Sequence, residues 1–266
     1  MLLPRQSHDQ TRALGVKYPH ALKQQITETL TKDNQTDTMV TTFSTKTRTR
    51  IGCWNVKTMM EITTLAQIDK ERNTYHIEIL GLSDTQWNGS GEHRIPQGGI
   101  LLYSGKPIND KHESGVGILL SPKAHKSLIE WKPILDRIIM ARFLTKLRKL
   151  VVIQCYAPTE QAVTEEKDAF YETLENTLRN VKRSEITMVM GDLNAKVGAD
   201  NKNFEHTMGR HGLGTMNENG ERFAELCSNN NLVIGGTLFP HKQIHKVTWG
   251  SPNQTTQNQI DRKRPA

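Results

Sequence analysis

Polar side chains follow the ends of several apolar runs in this sequence. The runs are "IGCW", "EILGLS", "VVIQC", "MVMG" and "NQI", and the polar residues that follow them are Asn55, Asp84, Tyr156, Asp192, Asn194 and Asp261. Where strands of an α/β sheet end at one edge, such groups can converge on a single pocket. Their carboxylate and amide oxygens, with no cysteine or clustered histidine beside them, are ligands that suit Mg²⁺ or Mn²⁺.

Sites of this type carry out phosphate chemistry. The cation neutralises charge on the phosphate and on its leaving oxygen, while a base takes a proton from the attacking water. Each of these polar residues, taken alone, has an alternative interpretation as a turn-forming or strand-capping group. Their repetition in order along the chain favours the catalytic interpretation.

The elements that must position these residues follow an α/β pattern from Arg50 onward. Single strands are predicted at "RIGCWNV", "HIEILGLSDTQW", "ITMVMGDLN", "LVIGG" and "HKVTWGSPN". "GGILLYSG" with "SGVGILLSP", and "RIIMARFL" with "KLVVIQCYAPT", are predicted to form two antiparallel pairs. Mixed sheets are therefore expected.

Helices are predicted between these strands, and two of them have a clear apolar face. The inward residues are Phe170, Leu174, Leu178 and Val181 in "EEKDAFYETLENTLRNVKR", and Phe223, Leu226 and Cys227 in "NENGERFAELCSNNN". A shorter helix is predicted around Leu65 and Ile68. Helices with one apolar face cover sheets, which completes the α/β pattern.

The ends of the chain differ in composition from its middle. Residues 1–49 hold a Thr-rich polar run, which predicts a flexible leader and not a secretory signal. The net charge is +7, but residues 51–260 carry 24 basic against 23 acidic side chains. Charge therefore favours a nucleic-acid partner only through the flanks, including the basic tail 262–266. No apolar run reaches membrane-spanning length, so we expect an intracellular protein with no membrane partner, in the nucleus or the cytoplasm.

Six motifs over residues 51–261 resemble the endonuclease/exonuclease/phosphatase superfamily. They are "CWNVKT", "LGLSDTQW", "IQCYAPT", "MGDLNAKVG", "TWGSPN" and "NQID", in that order, across nearly four-fifths of the chain. The sequence is most similar to the endonuclease domains of non-LTR retrotransposons and to craniofacial development protein-like sequences derived from them. The resemblance implies a four-layered α/β sandwich of two mixed sheets flanked by helices, in a domain spanning 50–261.

The resemblance also implies a reaction and a set of roles. The expected activity is cleavage of a DNA phosphodiester bond with Mg²⁺ or Mn²⁺. By position, Asn55 and Asp84 would hold the metal or the catalytic groups, and Tyr156 would contact the scissile phosphate. Asp192 would align or activate water, with Asn194 hydrogen-bonding beside it. Thr248 and Trp249 match a segment at the DNA-facing rim, where an indole can stack on a base or wedge at a base step, although ordinary packing is an equal alternative for Trp249.

Asp84 departs from the family pattern, which has Glu at this position. The loss of one methylene withdraws the carboxylate by about 1.5 Å, and Mg²⁺ requires near-ideal bonds of about 2.0 to 2.1 Å. We therefore expect weaker metal binding, since a bridging water or a backbone shift could preserve some affinity.

Asp261 itself matches the family pattern, but the residues that follow it do not. In the family, this Asp orients a His from a further Ser-Asp-His motif, whereas here Arg262, Lys263 and Arg264 follow it. The resemblance therefore implies a fold without its last strands, whose unpaired edges would favour instability or aggregation. The alternative is an incompletely assigned gene whose full product is active.

Three functions stay open at this point. The first is a metal-dependent DNA endonuclease, impaired by loss of the Asp-His motif. The second is a catalytically inactive nucleic-acid-binding remnant, and the third is a metal-dependent phosphoesterase that acts on another phosphorylated substrate. The match around "YAPT" and "GDLNAKVG" favours the first over the third.

Overall fold

Two mixed five-stranded sheets form the centre of the fold. A computed structural model of the chain describes residues 15–16, 49–240, 249–250 and 257–258. Sheet I has the strand order β2-β3-β6-β5-β4 and sheet II has the order β1-β10-β9-β8-β7. The strands of sheet I are β2 (Ile51–Asn55), β3 (Ile79–Ser83), β4 (Ser90–Arg94), β5 (Ile100–Ser104) and β6 (Val116–Leu120). Those of sheet II are β1 (Gly15–Val16), β7 (Leu128–Leu135), β8 (Ile138–Phe143), β9 (Leu150–Tyr156) and β10 (Ile186–Asp192).

Helices cover the outer face of each sheet. They are α1 (Ile62–Thr74) on sheet I, and α3 (Thr164–Arg179) and α4 (Glu218–Asn229) on sheet II. The short α2 (Pro122–His125) instead packs Ala124 into the core between the sheets. Leu65 and Ile68 of α1 pack on sheet I. Phe170, Leu174, Leu178, Phe223, Leu226 and Cys227 pack α3 and α4 on sheet II, as their spacing predicted. The layers are therefore helix, sheet, sheet and helices, and the predicted four-layered sandwich is confirmed.

Sheet II contributes side chains to two hydrophobic cores, one on each of its faces, and the alternation of side chains along β9 explains this. Val151 and Ile153 face the helices. Leu150 and Val152 face sheet I, where they pack with residues of β3, β6, β8 and β10. Successive side chains of a strand point to opposite faces, so an apolar run without polar interruption is the pattern of a strand buried on both sides.

Each sheet contains one parallel strand pair, and these two pairs position the site. β2 runs parallel to β3, with Asn55 opposite Ser83. β9 runs parallel to β10, with Tyr156 opposite Asp192. Parallel strands bring their carboxyl ends to the same edge, so the polar residues predicted at strand ends share an edge within each sheet. The predicted antiparallel pairs β5–β6 and β8–β9 are also confirmed.

Three segments differ from the predicted secondary structure. "LVIGG" is not a strand: Ile234 makes one isolated bridge to Met208, and a 3-10 helix follows at Gly235–Thr237. The Thr237 amide and hydroxyl both donate to the Ile234 carbonyl, which closes a turn there. The edge strands β4 and β7 were not predicted, because both carry polar and exposed residues without a continuous apolar run.

The two flanks are described only in part. Gly15–Val16 pairs antiparallel with β10, while the remainder of the predicted leader 1–49 lies almost entirely outside the described residues. Near the other end, β11 (Trp249–Gly250) pairs antiparallel with β12 (Gln257–Asn258). Within the parts that are described, no helix has the length and hydrophobicity needed to cross a bilayer.

Candidate active site

The ends of β2 and β10 meet across the two sheets. Asn55 Nδ2 donates a hydrogen bond of 2.7 Å to Asp192 Oδ2, although 137 residues separate them in sequence. The amide of Lys57 donates to Asn55 Oδ1 at 3.0 Å, which fixes the orientation of the Asn55 side chain. Asn55 therefore has a definite task in the structure, which is to hold one carboxylate oxygen of Asp192.

Asp192 is held on both of its carboxylate oxygens and on its backbone. The amide of Asn194 donates to Oδ1 at 3.0 Å, while Asn55 occupies Oδ2. The backbone carbonyl of Asp192 accepts from the Ala157 amide at 2.9 Å. Only 6% of Asp192 is exposed, so a carboxylate with a fixed orientation lies at the edge of the fold.

Gly191 allows the chain to turn into Asp192. Its φ is +132°, and a Cβ built there would lie 2.0 Å from the carbonyl oxygen of Cys155. No side chain fits in that space and few L-residues adopt that backbone. The Gly in "MGDLN" is thus explained by close approach of β9 and β10 at the site.

Asn194 joins the end of β10 to the segment that follows β9. It has a left-handed backbone with φ 48°, and its Nδ2 donates to the Ala157 carbonyl at 2.9 Å. The Asn194 carbonyl accepts from Asn217, the residue that caps α4. The Asn194 backbone thus donates to Asp192, while the Asn194 side chain braces the neighbouring loop.

Asp84 brings a second carboxylate to the same edge, directly after β3. Its backbone is also left-handed, with φ 58°, and its side chain is partly buried. Burial raises the pKa of the Asp84 carboxyl, and the negative charge of Asp192 raises it further; a hydrogen bond from Gln86 and the cations Arg137 and Lys57 act in the opposite direction. The two carboxylates thus interact electrostatically, as they must if they share a site.

Tyr156 lies under an arginine that sequence reasoning did not identify. The Arg137 guanidinium carbon is 5.2 Å from the centre of the Tyr156 ring, a distance typical of a cation–π contact. The Tyr156 amide donates to the Arg137 carbonyl at 2.9 Å, and Arg137 Nη1 donates to the Tyr156 carbonyl at 3.4 Å. Glu166 accepts from Arg137 Nη2 at 3.2 Å. Arg137 is therefore oriented by two partners and supplies positive charge near the carboxylates.

The turn that carries Arg137 is fastened to sheet I. Ser104 donates to the Leu135 carbonyl at 2.7 Å, and the Gly115 amide donates to the Asp136 carbonyl at 3.1 Å. Ser114 donates to Asp136 Oδ2 at 2.5 Å. The β7–β8 turn thus has a fixed place between the sheets, and so does the guanidinium that it presents.

The sequence analysis also did not identify a buried set of hydrogen bonds that joins the two sheets beneath the site. Ser83 Oγ accepts from Gln154 Nε2 at 2.9 Å and from the Asp192 amide at 3.3 Å, and it donates to the Cys155 carbonyl at 3.0 Å. One hydroxyl therefore ties β3 of sheet I to β9 and β10 of sheet II. Gly81 makes room for Gln154, because a Cβ there would lie 1.9 Å from Gln154 Oε1. The available signal was the polar Gln within the apolar run "VVIQC".

Cysteine chemistry does not belong to this site. None of the three cysteines, all of which lie in the described residues, forms a disulfide, and the Cys155 thiol is fully buried. Burial strongly raises the pKa of the Cys155 thiol, so it stays protonated at neutral pH. It acts as a side chain of the core that packs α3 and α4 on sheet II.

Three predicted residues are not brought to the site by the described structure. Thr248 and Asp261 lie outside the described residues. The backbone of Trp249 is described as part of β11, but the contacts of its indole are not. Their predicted roles in DNA contact and in orienting a base therefore stay predictions.

The donor set fits a hard divalent cation. Asp84 and Asp192 offer carboxylate oxygens, and Mg²⁺ is commonly held by one or two carboxylates together with water and substrate phosphate. No group of three or more His, Cys, Asp or Glu side chains that could hold a metal occurs within the described ranges. Two carboxylates therefore suit Mg²⁺ or Mn²⁺ better than a metal whose ligands must all come from protein side chains.

Comparison with known sequences finds one group of relatives. The chain is 36% identical over 211 residues to craniofacial development protein 2 from Bos taurus, and 35% identical over 211 residues to the protein of that name from Tragulus javanicus. Each match takes in 79% of this chain but only 35% and 36% of the relatives. The chain thus spans about a third of the length of the curated relatives it matches. No protein-family model matches the chain.

Comparison with solved structures gives the fold. The endonuclease domain of TRAS1, a telomere-specific non-LTR retrotransposon, is similar with a TM-score of 0.53 and 12% identity, over 81% of this chain and 83% of that one. The AP endonuclease LMAP from Leishmania major has the same TM-score and identity, over 80% of this chain and 78% of its own. This chain has the endonuclease/exonuclease/phosphatase fold. The resemblance predicted from the six motifs is confirmed, both in the fold and in the likeness to craniofacial development protein sequences.

Within the endonuclease/exonuclease/phosphatase fold, the residues brought together here occupy the ends of strands from both sheets. The structure gathers Asn55, Asp84, Tyr156, Asp192 and Asn194 at one edge, and adds Arg137 to them. We refer to this edge as the site edge. The two solved structures of similar fold are both named as endonucleases.

Proposed function

We propose that this chain is a divalent-metal-dependent endonuclease that hydrolyses phosphodiester bonds in DNA, of the kind encoded by non-LTR retrotransposons. The observation that carries the proposal is the 2.7 Å hydrogen bond between Asn55 and Asp192, which joins the ends of strands in different sheets beside Asp84. The structural likeness to two proteins named as endonucleases supports a nucleic-acid substrate.

The two carboxylates would hold the metal. Asp192 is close enough for its charge to raise the pKa of the Asp84 carboxyl, and a bound divalent cation would favour the ionised form of Asp84. When bound, Mg²⁺ or Mn²⁺ would neutralise negative charge on the phosphate and on its leaving oxygen. Asn55 would serve chiefly by orienting Asp192, since its Nδ2 is committed to that carboxylate.

Asp192 would align the attacking water and accept its proton. Both of its carboxylate oxygens are fixed, by Asn55 on one side and by the Asn194 amide on the other. A general base needs a defined position within hydrogen-bond reach of the proton that it removes. In the reaction, a bond forms between the water oxygen and phosphorus, and the bond from phosphorus to the leaving sugar oxygen breaks.

Tyr156 and Arg137 would act on the phosphate. The non-bridging oxygens gain negative charge as water adds, and donors that are already oriented stabilise that charge most effectively. Arg137 is fixed by Glu166 and by the backbone of Tyr156, so it needs no reorganisation during the reaction. Thr248, Trp249 and Asp261 remain predicted contributors to DNA binding and to the orientation of a base.

A supercoiled-plasmid nicking assay with Mg²⁺, Mn²⁺ or EDTA tests the proposal. We expect nicking that requires the metal and falls roughly 10³-fold in Asp192→Asn, a loss typical of removing a group that takes part in proton transfer. Asp168→Asn is the matched control, because Asp168 is an exposed residue of α3 whose partner is Arg222. It should nick at the wild-type rate.

Two results would overturn the proposal. Folded wild-type protein that leaves the plasmid intact with both metals would exclude endonuclease activity of this chain. Metal-dependent release of phosphate from a small organic phosphate, with no nicking, would assign the site to a different phosphoesterase reaction.

A further inference from the structure

The edge opposite the site edge carries an unusual concentration of positive charge. Three loops meet there, at residues 121–127, 144–149 and 180–185, just before β7, β9 and β10 begin. Lys123 in the first loop pairs with Glu78 at 3.8 Å. The other cationic side chains of these loops, which we call the basic edge, are Lys126, Lys146, Arg148, Lys149, Lys182 and Arg183. Arg148 is partly buried and the other five are exposed.

Backbone hydrogen bonds make these three loops neighbours. The Leu144 amide donates to the Ser127 carbonyl at 2.7 Å, which joins the first loop to the second. The Ile186 amide donates to the Lys149 carbonyl at 2.9 Å, which joins the second loop to the third. The third loop closes on itself through a bond from the Glu185 amide to the Lys182 carbonyl. The basic edge is therefore one surface.

The nearby carboxylates do not neutralise this surface. Glu185 is 6% exposed and pairs with Arg142 at 2.9 Å, and Glu130 pairs with the same guanidinium. Arg142 is thus compensated by two carboxylates, of which Glu185 is buried and Glu130 is partly exposed. Within the described part of the chain, none of the six basic-edge cations takes part in an ion pair.

The basic edge is separate from the site edge. β9 and β10 each contain 7 residues and run from one edge to the other. At about 3.3 Å per residue, the two edges lie about 20 Å apart. A ligand held on the basic edge is therefore held away from Asp84 and Asp192.

We propose that the basic edge binds the phosphodiester backbone of a nucleic acid. Exposed lysines without a fixed carboxylate partner are free to neutralise phosphates, and each contact releases condensed counterions from the polymer. Such binding is independent of base sequence, because phosphate contacts carry no sequence information directly. It supplies a holding surface that is distinct from the proposed cleavage site.

An anionic membrane is the less favoured partner for this surface. Membrane-binding surfaces combine cations with several apolar side chains that enter the lipid interface. Leu147, which is 60% exposed, is the single exposed large apolar side chain in these three fully described loops. The composition therefore favours the phosphates of a nucleic acid.

The test is the salt dependence of binding, measured by fluorescence anisotropy with a labelled 20-base-pair DNA duplex in EDTA, so that no cleavage occurs. The variant Lys146→Gln/Lys149→Gln/Lys182→Gln removes three basic-edge charges. If each lysine neutralises one phosphate, the slope of log K against log salt becomes shallower by about 2.7. Between 50 and 200 mM salt, the wild type then loses roughly 40-fold more affinity than the variant does.

A matched control removes the same charge elsewhere. Lys70→Gln/Lys132→Gln/Lys202→Gln takes three exposed lysines from α1, β7 and the loop after β10. This control should retain the wild-type slope. Equal slopes in all three proteins, or an equal change in the control, would overturn the proposal.

A single-stranded RNA of the same length, as a second probe, distinguishes the two sources of phosphodiester backbone.

Two further measurements keep the proposal falsifiable. Acetylation of lysines in wild-type protein, read by mass spectrometry, should show protection of Lys146, Lys149 and Lys182 by duplex DNA but not of Lys70. Unprotected basic-edge lysines at saturating DNA would contradict it. Phosphatidylserine vesicles that bind the wild type while DNA does not would assign the surface to membranes instead. Because all readouts are taken without metal, they do not depend on whether the chain cleaves DNA.

Discussion

The two edges of the same sandwich handle charge in opposite ways. At the site edge, two acids and an arginine are partly or fully buried, and hydrogen bonds orient Asp192 and Arg137. At the basic edge, the cations are mostly exposed, and the nearby acids are committed to Arg142. Fixed groups suit the alignment of reacting atoms, and mobile cations suit binding to a polymer whose phosphates vary in position. The comparison supports catalysis at the site edge and nucleic-acid binding at the basic edge.

The largest expected effect concerns the backbone of the site edge. Gly191→Ala would place a Cβ 2.0 Å from the Cys155 carbonyl at a φ of +132°, so we expect a loss of about 4 kcal/mol in the free energy of unfolding, or failure to fold. Gly214→Ala is the control, because Gly214 also has a positive φ, +73°, but has no atom within 4 Å. It should cost about 1 kcal/mol. Urea unfolding of both variants checks this, and equal losses would mean that the site edge is not tightly packed.

Arg137→Gln should have the next largest effect, on catalysis. Removing a fixed donor that stabilises transition-state charge costs about 10²-fold in rate. We expect the single-turnover nicking rate to fall by that factor while DNA affinity in EDTA stays close to that of the wild type. Arg179→Gln, an exposed arginine of α3 paired with Glu175, controls for the loss of charge. If DNA affinity and nicking rate fell together, Arg137 would act in DNA binding. The assignment of catalysis and binding to separate edges would then be weakened.

Ser83→Ala should have a smaller effect, on stability. The change removes the buried acceptor of the Asp192 backbone amide and the shorter of the two hydrogen bonds that the Gln154 side-chain amide donates, which costs about 1 to 3 kcal/mol. Ser90→Ala, at an exposed position of β4, should be within about 0.5 kcal/mol of wild type. Unfolding in urea measures both. No difference between them would show that the bridge between the sheets contributes little.

The core strands of the fold were predictable because they depend on local patterns, and the polar residues at their ends could be identified in the same way. Buried strands appear as short apolar runs, and Asp192 follows its run directly. The parallel register that brings Asn55 opposite Ser83 and Tyr156 opposite Asp192 then places strand ends together. The edge strands β4 and β7 were missed because an exposed strand needs no apolar run.

Contacts between distant segments were not predictable from local patterns. Arg137 lies in a turn between two strands, and nothing nearby in sequence shows that it stacks on Tyr156. The basic edge was missed for a similar reason. Counted along residues 51–260, acids and bases nearly balance, and the segregation becomes visible only when strand direction assigns each loop to an edge.

The most direct test of the central claim is a count of divalent sites at the site edge. Mn²⁺ is titrated into wild type, Asp84→Asn, Asp192→Asn and Asp84→Glu, with free Mn²⁺ followed by its EPR signal. We expect one site in the wild type, affinity weakened by roughly tenfold or more in both Asn variants, and tighter binding in Asp84→Glu, whose longer side chain reaches further. Identical affinity and stoichiometry in the wild type and both Asn variants would contradict a metal centre at these strand ends.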